Sequence, residues 1–91
     1  MTQVSRKIGL VIVIAADDMS VIVYTMDNYE LALAQAKELF KGVEYPIKRL
    51  QEVMSNGMRQ TFFRIDKIRE VVCVKECEIA MEVLKIGETV N

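Results

Sequence analysis

The sequence predicts an α+β domain, an antiparallel sheet of about four strands with two or three helices packed on one face. Three observations predict it. A β-branched stretch from Ile8 to Met26 is split by Asp17-Asp18-Met19-Ser20, as a hairpin is split by its turn. An amphipathic stretch follows from Asp27 to Gly42. A second pair of strand-like runs, 60–65 and 68–75, then leads into a composition that favours helix. The order reads ββα, a short helix, then ββα. Two such units would pack as a circularly permuted ferredoxin-like arrangement.

With 91 residues, the chain has enough length for one core and too little for two, so residues 1–91 are read as a single domain. Residues 1–5 and 88–91 are expected to be flexible. The apolar run Ile8 to Ala16 falls well short of the roughly 20 residues of a membrane-spanning helix, so it reads as a core strand. A charged start before an apolar run also resembles a signal peptide. Removing it would delete half the core, and two cysteines are few for an exported domain of this size, so a cytoplasmic protein with no membrane contact is expected.

Both strands of the Ile8–Met26 hairpin are apolar on both faces: Val11, Val13, Val21 and Val23 alternate with Ile12, Ile14, Ile22 and Tyr24. One face can be covered by the chain's own helices. The other calls for a second copy, so homo-oligomerisation is expected; loops and the tail are the alternative cover. Asp27 is placed to cap the first helix, with Glu30 reaching back as in a capping box. Tyr29, Ala32, Leu33, Ala36, Leu39, Phe40 and Val43 then share one stripe, and Gly42 is placed to end the helix in a left-handed conformation.

Pro46 to Gly57 admits two readings. As a helix it starts at Pro46 and stops at Asn56-Gly57. As a hairpin it turns at Asn56-Gly57, with Val53 across from Gln60 and Leu50 across from Phe63, but its faces do not sort into apolar and polar, which favours the helix. Gln60–Ile65 and Ile68–Lys75 are the next strands, joined by an Asp66-Lys67 turn. A last helix after Glu76 would carry Ile79, Val83 and Ile86 as its stripe and stop at Gly87.

The chemistry on offer is sparse. The chain has no histidine and no phosphate-binding or nucleophile-elbow pattern, which points away from catalysis and leaves no catalytic residue to name. Asp17 and Asp18 read as turn formers. Cys73 and Cys77 fall short of a four-ligand zinc site and read as small core residues, Cys77 being the better reactive thiol if it opens a helix. No metal or cofactor is implied.

Charge placement says more. Residues 46–69 carry six basic residues against two acidic ones, a net +4, whereas 1–45 carry −2 and 70–91 carry −3. Lys48, Arg49, Arg59, Arg64, Lys67 and Arg69 are therefore the candidate anion-binding residues, and Phe62 or Phe63 beside Arg64 offers a ring for stacking. The expected function is that of a small non-enzymatic regulatory or accessory protein whose basic segment binds an anionic partner such as nucleic acid. The alternatives are a protein-interaction module or small inhibitor docking on an acidic protein surface, and a binder of a nucleotide-like anion at a subunit interface. Pro46-Ile47-Lys48-Arg49, Gly57-Met58 and Arg69-Glu70-Val71-Val72 resemble short pieces of the Rem-type extracellular-matrix regulators, small bacterial DNA-binding proteins that form rings. The resemblance covers the second half only, across gaps. It implies an oligomeric anion-binding regulator and carries over no residue's role.

Overall fold

Six strands and a single α-helix make up the described residues of the computed structural model, which comprise the backbone of 2–83 and the side chains of 5–80. The strands are β1 (Thr2–Ala15), β2 (Ser20–Met26), β3 (Lys48–Arg49), β4 (Val53–Ser55), β5 (Met58–Ile65) and β6 (Glu70–Val83), and the helix α1 is Tyr29–Phe40. All pair antiparallel in one sheet of order β2-β1-β6-β5-β3, with β4 also on β5. The expectation of four strands with two or three helices, and with it the ferredoxin-like order, is therefore overturned.

The hairpin and first helix form where the sequence places them. Ala15 pairs with Ser20 across a turn in which Asp18 Oδ1 accepts the Ser20 N–H at 3.0 Å and Met19 takes a φ of 58°. The helix cap is Asn28, one residue later than expected: its side chain accepts the Leu31 N–H at 2.8 Å. Gly42 is not among the left-handed residues, and the helix instead ends through Lys41 in ordinary helical geometry.

Two segments expected as helices are strands. Pro46–Gly57 is the hairpin alternative: Val53 pairs with Gln60 as that reading requires, and Asn56 and Gly57 both take positive φ, 52° and 75°. Leu50, however, donates its N–H to Phe62 O rather than facing Phe63. The register slips by one residue between β3 and β4, so no single alternation runs through 48–55. That slip is why the faces fail to sort in the sequence. After Glu76, β6 continues to Val83 because Thr2–Ile8 lies alongside it, Thr2 opposite Val83 and Ile8 opposite Cys77. Residues 2–5 are thus strand, not a loose lead. The expected stop at Gly87 and the tail 88–91 lie outside the described residues.

The core lies on one face. Pairing puts Gly9, Val11 and Val13 of β1 beside Val72 and Val74 of β6 and Phe63 of β5, and on these sit Tyr29, Ala32 and Ala36 of α1. Small residues let the helix approach closely. A Cβ on Gly9 would run into Asn28 O and lie 2.8 Å from Ala32 Cβ, so no side chain fits there. Phe40 closes the far end, its ring edge-on to Phe63 at 5.0 Å between centroids.

Candidate binding surface

The six basic residues do not converge. Arg59 faces the helix and is tied into the fold: its Nε and Nη2 reach Glu76 at 3.1 and 3.2 Å, its backbone N–H donates to Glu76 Oε1 at 2.8 Å, Nη1 meets Glu30 at 3.0 Å, and the guanidinium lies 4.5 Å from the Tyr29 ring centroid. These bonds hold the Glu76 carboxyl below its ordinary range and keep Arg59 firmly protonated. Arg59 is a structural tie between strand, helix and neighbouring strand.

Arg49 also turns to the helix face, over the Phe63 ring at 5.8 Å. Arg69, left-handed at φ 51°, leans on Asp17 at 3.8 Å beyond the β1–β2 turn. Lys48 and Arg64 do come together as directly paired residues, but both contact Asp66, at 3.5 and 2.7 Å. Lys67 is exposed on the 3₁₀ turn Asp66–Ile68 beside them. Three of the six, Lys48, Arg64 and Lys67, therefore share one corner of the molecule.

That corner borders the sheet face opposite the helix. Alternation assigns Leu10, Ile12 and Ile14, Val21 and Val23, Val71 and Cys73, and Phe62 to this face. No described element packs on it. Val21 is 58% exposed, Val23 54% and Ile14 40%, so the surface is open where β2 and β1 end, while Cys73 and Ile8 on the same face are buried. Exposed apolar surface rimmed by polar residues marks an interaction site. Every charged strand residue assigned to this face among the described residues is a cation: Arg6, Lys48, Arg64 and Lys75. Strand acids Glu70, Glu76 and Glu78 fall on the helix side, joined there by Glu30 and Glu38 of α1.

Reading charge along the chain missed Arg6 and Lys75. The signal that finds them is strand parity: Lys75 alternates with Val74 and Glu76, and Arg6 precedes Ile8 by two. Of the two phenylalanines, Phe63 is core at 5% exposure and Phe62 lies half-buried on the open face beside Arg64.

Cys73 and Cys77 are both free and sit on one strand four residues apart, about 13 Å by strand rise, too far to bond each other or to share a metal. Cys77 lies within β6 and opens no helix; burial pushes the Cys73 thiol up. Among the described residues no group of three or more side chains is arranged to hold a metal ion, and no helix is long and apolar enough to cross a membrane. No family model matches the chain, and no curated protein or solved structure matches it either.

Proposed function

We propose that this is a non-enzymatic accessory protein whose open sheet face binds an acidic, amphipathic segment of another protein. The observation that supports it most is the composition of that face: an aliphatic centre around Ile12, Val23 and Val71, on which every charged strand residue among those described is a cation, Arg6, Lys48, Arg64 and Lys75, with Asp27 and Asp66 of the flanking turns pairing with Arg6 and with Lys48 and Arg64. An amphipathic helix with an apolar stripe and acidic flanks is complementary to both parts. Nucleic acid is the second reading, favoured by Phe62 lying beside Arg64. It is weaker on this face because Phe62 is the one aromatic side chain assigned there among the described strand residues.

The test is fluorescence anisotropy with two probes: a helical peptide carrying leucines at i, i+3 and i+4 with glutamates elsewhere, and oligo-thymidylate. Binding of the peptide that falls roughly tenfold in Arg64→Gln plus Lys75→Gln is expected. Binding of the oligonucleotide alone, weakening steeply with salt, would move the assignment to nucleic acid. No binding of either probe at low salt sinks both.

A further inference from the structure

The two edges of this sheet are unlike. On one side the edge is β3 and β4, two and three residues long, interrupted, slipped by one residue in register, and carrying Lys48 and Arg49 just after Pro46. Each of those features blunts an edge against further strand pairing. On the other side the edge is β2, Ser20-Val-Ile-Val-Tyr-Thr-Met26, seven residues without a charge, a proline, a glycine or a break in register. Val21, Ile22 and Val23 are consecutive and each more than half exposed, so the first half of this strand is open on both faces, while Tyr24 and Met26 pack against the core on the helix side.

We infer that β2 is the seam of a twofold homodimer in which it pairs antiparallel with β2 of a second copy. Self-complementarity names the occupant. A twofold through Val23 overlaps residues 20–26 of both strands in full, with Val23 opposite its own mate, Ile22 opposite Tyr24, and Val21 opposite Thr25, and no charge meets a like charge. The blunted β3 edge offers no equivalent, and because the twofold uses the same strand of both copies, pairing through β2 closes at two.

The layer above the strand agrees. On the helix side a mainly apolar cavity of about 210 Å³ lies under the end of α1, reaching from Ile22 and Tyr24 of β2 across Val13 of β1 to Val72 and Glu70 of β6, with Leu39, Phe40 and Val43 above. The helix lies over β1 and β6. In the dimer the two β1 strands are three strand spacings apart, about 14 Å, which separates the helices by more than the 8–10 Å of packed axes. The gap holds one layer of side chains. The two cavities meet there, and Ile22 of each copy fills it over Tyr24 of the other. A seven-residue strand about 24 Å long, with side chains above and below, gives a contact of about 600 Å² per copy, at the lower end of specific interfaces. The product is a continuous twelve-stranded sheet whose open face is doubled.

This inference stands on the edge and the cavity, so it is separable from the proposed partner of the open face. The experiment is mass in solution by light scattering from micromolar to submillimolar concentration, with hydrogen exchange of the β2 amides, on the full chain and two variants. Val23→Lys puts two cations on the twofold; Val71→Lys charges the centre of the open face and leaves the edge alone. The wild type and Val71→Lys are expected to be dimers with protected β2 amides. Val23→Lys is expected to be a monomer of unchanged circular dichroism, with dimerisation weakened at least a hundredfold and β2 protection lost. A wild-type monomer throughout, or a dimer lost in Val71→Lys and kept in Val23→Lys, overturns the inference, the latter in favour of face-to-face association. Should Val23→Lys not fold, Thr25→Lys on the same exposed edge serves the same test.

Discussion

Tyr29 and Gly9 decide how the helix meets the sheet. The Tyr29 hydroxyl donates to Glu52 Oε2 at 3.0 Å and lies 2.6 Å from Thr61 Oγ1, so its single proton goes to the carboxylate and the threonine donates in return. Burial pushes the phenol above its ordinary value, which keeps it a donor. Thr61 is fully buried. Tyr29→Phe leaves that hydroxyl without its partner and is expected to cost about 1–3 kcal/mol by denaturant unfolding. Gly9→Ala acts by contact rather than by loss. Its Cβ would run into Asn28 O and Ala32 Cβ, so the α1 entry must shift, and a cost of about 1–3 kcal/mol or more is expected in the same measurement.

At the level of elements, the Asn28 side chain holds the start of α1 through one bond to Leu31, and Asn28→Ala is expected to cost about 1 kcal/mol while Asn28→Asp keeps most of it. The elements themselves were unequally legible in the sequence. The hairpin and α1 declare themselves through β-branched density and a 3.6-residue stripe, both local signals. β6 does not: the run after Glu76 has acceptable helix propensity, and what makes it a strand is Thr2–Ile8, about 70 to 80 residues away in sequence, lying beside it. Its Glu76, Glu78 alternation with Cys77 and Ile79 was the readable clue. The β4–β5 turn was legible as Asn56-Gly57, and the one-residue slip at 50–52 concealed the strand behind it. The candidate surface was half legible for a related reason. Net charge along the chain locates Lys48, Arg64 and Lys67, but only pairing register separates them from Arg59, which faces the helix, and adds Arg6 and Lys75.

For the whole molecule, the Arg59 cluster links the layers, and its acid partners set a pH dependence. Glu76, on the neighbouring strand, is held below its ordinary pKa of 4.5 chiefly by hydrogen bonds from Arg59, and Glu30, on the helix, is lowered by its own backbone hydrogen bond and by Arg59. A carboxyl whose folded pKa lies below its unfolded one contributes stability that is complete above the unfolded value. The contribution is lost as pH falls through the folded value. Thermal unfolding is therefore expected to be flat from neutral pH down to about 5 and to drop below 4.5 as these groups take up protons. Glu76→Gln removes the titration of the better-buried partner. It is expected to melt lower than the wild type at neutral pH and to approach it as the pH falls, because the wild type then loses the same charge. Parallel curves for the two proteins between pH 7 and 3 would show that Glu76 does not carry the acid response. This variant also separates fold from surface: Glu76 lies on the helix side, so its loss changes stability while the cationic open face and the uncharged β2 edge keep their composition.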